Sequence, residues 1–311
     1  MGRDLLGLPQ PSPVATSTQR CPMSSNPLGR LPWPDGWSSP KRLKWIIASL
    51  YLGLMGGVLF VVGIAQMING GIPKGAVPVY GSLLCFLGAA QGVLTRAVVR
   101  RKAVGTIHRR TLPESGETAL FIPYSRRLFW LIFGLPVLLL LGVGPVAAWS
   151  IYEAVAAQDV GSVVMAAVCL VCLAYLMVSI SEFLRNKITC GYVALSSAGI
   201  YHRSWALTSF VPWEHVTEIW PFEGGGPVIT VQATANAEGW SRRTSRFWKQ
   251  PEAGFGLNLT VRGMYLSVDP ALVYHALQFY FDNPRARSEL SGDAAVRRLK
   301  RADIPVPSRH L

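Results

Sequence analysis

The chain has 311 residues, 50% of them hydrophobic and 15% charged, with a mean hydropathy of +0.30 and a formal net charge of +13. That balance excludes an ordinary soluble protein and points to a membrane class, in which excess cation reflects topology and an anionic leaflet before it reflects nucleic acid. The length allows two domains, and the five cysteines, Cys21, Cys85, Cys169, Cys172 and Cys190, have no disulfide-framework spacing.

Residues 1–40 are rich in Pro, Ser and Gly and lack the apolar run of a signal peptide, so a disordered cytoplasmic arm is expected there. Met23 is an alternative start, and the TQRC ending at Cys21 is no lipidation signal. Arginine far outnumbers lysine, which reads as a GC-rich coding bias and suggests a bacterial source.

Four runs, 45–68, 76–95, 128–152 and 160–181, contain no Asp, Glu, Lys, Arg or His. At ~1.5 Å per residue each is long enough for a ~30 Å hydrocarbon core. Pro78 interrupts the second run, and Pro136 and Pro145 predict a kink in the third. Pumps and ion-coupled transporters normally need an intramembrane ionisable group, so the four runs read as an anchoring bundle. Gly53 and Gly57, and Gly88 and Gly92, have the GxxxG spacing that lets helix backbones approach closely. Packing between neighbouring spans is the plain reading, and homodimerisation the alternative. CLVC (169–172) has redox or metal spacing, but in a lipid-embedded helix cysteine is a small apolar filler.

Cations set the orientation. Of the 30 Lys and Arg, all but Lys74 fall in segments that lie on one side of a four-span topology. By the positive-inside rule both termini and the basic loop 96–127 are cytoplasmic, and the protein is a multi-pass protein of the bacterial inner membrane. Within that loop, ETALFIPYS (117–125) is a short apolar run that could pair with the edge of a cytoplasmic sheet and cover it. A membrane enzyme with its site in this loop would use His108 or Glu117.

From residue 189 the pattern changes to short runs punctuated by turn residues. Strands are expected at 190–196, 200–205, 207–212, 214–220, 227–234, 256–263 and 264–268. Asp269 then N-caps a helix that begins with Pro270 and presents Leu272, Val273, Ala276, Leu277 and Tyr280 on one face. Asn283-Pro284 stops it, and 285–311 reads as a basic, flexible tail. In VPWEHVTEIWP (211–221), Val211, Trp213 and His215 share a strand face but the alternation then fails, so a bulge or bend is expected near Glu214.

About seven short strands and one amphipathic helix suggest a small curled sheet plugged by that helix. LSSAGIYHRSW (195–205) and VPWEHVTEI (211–219) resemble the L-[ST]-x-x-G-[IL] and [IV]-P-[WL]-x-x-[IV]-x-x-[IV] patterns of bacterial pleckstrin-homology-like (PH-like) domains fused to membrane helices. The resemblance covers 189–284. Together with the four apolar runs it gives the expected fold class, a four-helix transmembrane bundle plus a cytoplasmic α+β PH-like domain, about seven antiparallel strands capped by a C-terminal helix. It implies a binding or scaffolding role and no reaction.

Glu214, His215 and Glu218 form the one acid–histidine cluster of this region, but on a strand His215 would point away from both carboxylates. No metal site, nucleophile–base pair or cofactor fingerprint is read from the chain, so no cofactor is implied. The segment SRRTSRFWKQ (241–250) is more informative. Arg242, Arg243, Arg246 and Lys249 interleave with Trp240, Phe247 and Trp248. It reads as a solvated loop outside the sheet, or as a contact with anionic lipid headgroups or a protein partner; nucleic acid is not expected beside a membrane. AVRRLKR (295–301) has the same two readings. The functional expectation is a non-catalytic adaptor that binds a protein, peptide or lipid headgroup. The alternative is an accessory subunit of an envelope transport or assembly complex.

Overall fold

A computed structural model describes residues 31–38, 42–70, 72–97, 104–112, 115–156, 160–234, 238–245 and 258–305. Among the described residues, four helices are long and apolar enough to cross a membrane. They are α1 (Arg42–Gly70), α2 (Ile72–Gly92), α3 (Arg126–Ala156) and α4 (Val160–Leu184). A π-helical turn, Val93–Ala97, ends the second span. Pro78 lies inside α2, and Pro136 and Pro145 lie inside α3.

The spans form two hairpins, α1 on α2 and α3 on α4, which meet where α2 touches α3. Glycine sets the closeness of the first hairpin. A Cβ on Gly63 would lie 2.9 Å from Val79 N and 3.0 Å from Gly75 O, and one on Gly75 would strike Gly63 O. Gly88 and Gly92 also face α1, where added carbons would meet Leu52 (2.9 Å) and Ser49 (2.8 Å). Gly53 and Gly57 do not take part: a Cβ on either meets nothing within 4 Å. One of the two expected GxxxG pairs therefore packs within the chain, and the other faces outward.

The rest of the chain builds one β-rich domain. β1 (His108–Thr111) and β2 (Thr118–Pro123) come from the loop between α2 and α3. β3 (Tyr192–Leu195), β4 (Gly199–Arg203), β5 (Leu207–Pro212), β6 (Val216–Glu223), β7 (Pro227–Ala233), β8 (Trp240–Arg243) and β9 (Leu259–Arg262) follow α4. They pair antiparallel as a six-stranded sheet, β1-β2-β3-β4-β5-β8, and a three-stranded sheet, β6-β7-β9. The expected pairing of 117–125 with the sheet edge is what β2 does, against β3. The hinge expected near Glu214 is a 3-10 turn, Trp213–His215, that carries the chain from one sheet to the other, and the pairing register shifts between Val216 and Glu218.

Between the sheets lies one continuous core that includes Leu120, Ile122, Val193, Ile200, Ile229 and Val261. Helix α5 (Pro270–Asp282) closes it. Asp269 caps this helix by accepting a hydrogen bond from Ala271 N (3.0 Å), and all five residues of the expected face are buried.

Four expectations are corrected. Residues 31–38 belong to the domain, not to a disordered arm. Trp37 is 3% exposed, donates from Nε1 to Val228 O (3.0 Å) and stacks edge-on against Tyr274, while Pro32 O meets His275 Nε2 at 2.9 Å. The expected flexible tail is folded onto the domain over residues 285–305. A 3-10 segment, Pro284–Ser291, leads into α6 (Asp293–Arg301), and Leu290, Ala295 and Leu299 are fully buried. Arg298 chelates Glu289 at 2.7 and 3.2 Å, and Glu289 in turn accepts from Tyr280 OH. The run 264–268 is not a strand: it opens with a 3-10 turn, Gly263–Tyr265, and keeps an isolated bridge from Leu266 to Tyr124. Finally, Trp240–Arg243 is a strand of the sheet, not a loop outside it.

Candidate functional site

The site is built from the pairing register of the six-stranded sheet. Reading straight across the strands, His108 lies opposite Phe121, Phe121 opposite Ala194, Ala194 opposite Tyr201, Tyr201 opposite Phe210 and Phe210 opposite Trp240. One row thus crosses the whole sheet, and every member but Ala194 carries a ring. Side chains alternate between sheet faces, so this row points away from the core that Leu120, Val193 and Val211 fill. Tyr192 fills the gap over Ala194, with its ring 4.5 Å from Phe121. Tyr201 and Phe210 stack at 4.2 Å, and His108 packs on Phe121 at 4.9 Å.

A second row on the same face runs Tyr192, Arg203, Thr208, Arg242. Arg110 adds a guanidinium 5.6 Å from the Phe121 ring centre, a cation–π placement. The middle of the aromatic row is buried, whereas Trp240 is 36% exposed and His108, Arg110 and Arg242 are open. Arg203 Nε is buried without a hydrogen-bond partner among the described residues. Phe121, Tyr192, Ala194 and Tyr201 form a second buried cluster with Leu112 and Ala119, so what this face offers is its margin, the rings of His108 and Trp240 and the guanidinium groups of Arg110 and Arg242, a composition that suits a planar or anionic group.

β8 forms the free end of this sheet. Arg243 points to the opposite face from Arg242 but is also exposed, because nothing pairs beyond β8 in the described residues. The strand is tied down where it ends. Thr244 N donates to Ala206 O (3.0 Å), Thr244 Oγ1 donates to Lys187 O (2.6 Å), and buried Ser245 lies against the Glu182 carboxylate at the last turn of α4. Lys187 Nζ also pairs with Glu182, at 2.6 Å. Of the seven expected contact residues, Trp240, Arg242 and Arg243 lie on β8. Arg246, Phe247, Trp248 and Lys249 lie outside the described residues.

Sequence reasoning missed Arg110, Phe121, Tyr192, Tyr201, Arg203 and Phe210, and singled out His108 only for a membrane-enzyme site. The signal was the alternation inside each short run, in which the positions between core residues are repeatedly aromatic or basic.

Several other titratable groups have structural partners. His202, on the inner face, meets Tyr124 OH at 2.7 Å, and burial pushes its pKa down to about 3. Burial also raises the Cys190 thiol, whose Sγ is 3.6 Å from Tyr124 O. Glu214, His215 and Glu218 are not gathered: His215 Nδ1 sits 3.4 Å from Thr234 Oγ1, and Glu214 acts electrostatically on Arg287. His108 Nδ1 is 2.8 Å from Thr106 O. Among the described residues, no three His, Cys, Asp or Glu side chains are grouped as metal ligands.

Comparison with family models, with curated proteins and with solved structures found no match to the chain.

Proposed function

We propose that this protein is a non-catalytic membrane adaptor. Its domain is PH-like, stands with both termini on the cytoplasmic face of a bacterial inner membrane, and binds an anionic protein or peptide segment, or a lipid headgroup. The observation that carries the reading is the cross-strand aromatic row flanked by Arg110, Arg203 and Arg242 on the face of the sheet opposite the main core, where a small second cluster is rimmed by exposed rings and guanidinium groups. Supporting the PH-like assignment are two antiparallel sheets around one core and a helix, α5, closing it. The cytoplasmic assignment is supported by the cations, all but one of which fall in segments on the domain side. The segments before α1, between α2 and α3 and after α4 pack into one domain, which is what an even number of crossings requires.

The test is a photo-crosslinking residue introduced at Phe210 in the full-length protein in its native membrane. A discrete adduct should form with Phe210 as the reporter and not with the exposed helix-end position Arg285. It should be lost when Arg203 and Arg242 are both replaced by Gln. Equal labelling at Phe210 and Arg285, or an adduct indifferent to the two arginines, would remove the binding face from the account.

The second reading, an accessory subunit or a homodimer, is favoured by the outward face of α1. Gly53 and Gly57 line an apolar groove of about 860 Å³ together with Leu50, Leu54, Ala89 and Ala90. A neighbouring helix could enter this groove closely, because small residues let backbones approach. Loss of a co-purifying membrane protein on Gly53→Leu would favour that reading.

A further inference from the structure

The α3/α4 hairpin carries a second apolar cleft, of about 340 Å³, on its domain-side half. Its lining on α3 is a stripe at helical spacing, Trp130, Gly134, Val137 and Leu141, and on α4 it includes Ile180 and Phe183. Phe133 and Phe183 stack at 5.7 Å to form its floor. Gly134 leaves the cleft open, since a Cβ there would meet nothing within 4 Å. From Trp130 to Leu141 the helix rises about 16 Å. That is close to half of a ~30 Å hydrocarbon core, the depth of one leaflet.

At the domain end the stripe meets charge. Arg127 lies one turn before Trp130, Arg126 precedes it, and Arg185 follows the last turn of α4. All three side chains are exposed, and among the described residues none makes a hydrogen bond or close ion pair; Arg185 acts on the Glu182 carboxylate only at longer range, whereas Lys187 holds it at 2.6 Å. Trp130 is 60% exposed at the level between the arginines and the apolar stripe, where an indole favours the headgroup zone. The cleft is too small for a helix, whose diameter with side chains is about 10–12 Å. An extended hydrocarbon chain has the right cross-section and length.

We propose that the cleft between α3 and α4 is a binding site for an anionic phospholipid of the domain-side leaflet. One acyl chain lies along Trp130, Gly134, Val137 and Leu141, and the phosphate sits against Arg126 and Arg127 with Arg185 across the mouth. Three exposed cations at the end of an apolar slot select a lipid by headgroup charge, and the slot requires that the ligand carry a chain. The site lies in the membrane helices and stands apart from the basic aromatic face of the sheet.

The experiment is native mass spectrometry of the full-length protein released from mild detergent, after addition of phosphatidylglycerol or phosphatidylcholine with identical acyl chains. Phosphatidylglycerol should be retained about tenfold better, the equivalent of ~1.4 kcal/mol. Replacing Arg126, Arg127 and Arg185 by Gln should abolish that preference. Gly134→Leu, which grows into the open slot, should reduce retention of both lipids, and Val137→Phe fills the same slot should Gly134→Leu fail to fold. The double change Arg203→Gln, Arg242→Gln should leave lipid retention unaltered, which separates this site from the binding face. Equal retention of the two lipids by the native protein, an anionic preference that survives the triple Gln change, or undiminished retention in a folded slot-filling variant would each overturn the proposal.

Discussion

The membrane helices and the β domain bury their apolar residues against different things. In the domain the apolar residues meet one another: Leu120, Val193, Ile229, Val273, Leu277 and Tyr280 are all fully enclosed. In the helices only scattered positions such as Ala147, Ala166 and Cys169 are buried, while Leu54, Leu141, Val155 and Val171 stand open. Water drives the first kind of burial at roughly 25 cal/mol per Å² of apolar surface. It cannot drive the second, because lipid tails are as apolar as leucine, and helix association then rests on close packing at glycine. The same chemical change should therefore have different consequences in the two regions.

The largest effect that would test this contrast is in the domain. Leu277→Asp places an unpaired carboxylate in the middle of the α5 face and should cost several kcal/mol, enough to unfold the domain. The spans should remain inserted and helical, because their hydrocarbon contacts are with lipid. Limited proteolysis of the protein in detergent would read both regions at once. A variant as resistant as wild type throughout would mean that α5 does not close the core, and loss of the spans with the domain would mean that the two are not separately solvated.

A smaller effect sharpens the helix half of the comparison. Gly63→Leu overpacks the contact with Val79 and Gly75 and should weaken the α1/α2 hairpin by about 1–3 kcal/mol. Gly53→Leu adds the same side chain where nothing lies within 4 Å and should leave the hairpin within about 0.5 kcal/mol of wild type. Denaturant titration in mixed micelles, with α1 and α2 carrying a donor and acceptor dye, compares the two. Equal losses would remove glycine-set packing as the source of the hairpin's closeness.

How much of this was legible in the sequence follows the same division. A span is recognisable without knowing its neighbours, since the bilayer is its partner, and all four runs became helices. Helix α5 was legible because Asp269, Pro270 and the stripe Leu272 to Tyr280 are local signals. The edges of the domain were not, because they depend on distant partners. Trp37 is buried by Val228 and Tyr274, far away in sequence, and its neighbours Pro34 and Asp35 read as linker. Leu290, Ala295 and Leu299 were hidden among the cations of the tail, whose charges face out while these three face in. At the other end of the scale, 264–268 alternates like a strand, but Gly263 is wedged against Pro227 O and Pro270 and the backbone turns there. Of the proposed binding face, composition revealed only Trp240 and Arg242, with Arg243 on the other side of the same strand. An edge strand exposes both its faces, so their charge was taken for a loop, and the aromatic row behind them exists only in the register.

The last contrast is in response to acid. His202 is buried at the foot of the sheet, against the hydroxyl of Tyr124, two residues before α3 begins. Its folded pKa is pushed by burial from 6.5 down to about 3. The neutral ring is therefore the folded form, and the unfolded chain takes up a proton first. Above pH ~6.5 neither state binds that proton and the full stability is present. As pH falls from there towards 3, the unfolded state gains about 1.4 kcal/mol per pH unit over the folded one. Between pH 7 and pH 5 the domain should lose roughly 2 kcal/mol through this group alone. The spans should keep their helicity over the same range. Chemical denaturation followed by tryptophan fluorescence at the two pH values, in native protein and in His202→Asn, isolates the term. The Asn variant should show a loss smaller by about the same 2 kcal/mol, whatever its stability at pH 7. An equal loss in both proteins would mean that His202 is not the group that ties the domain's stability to pH.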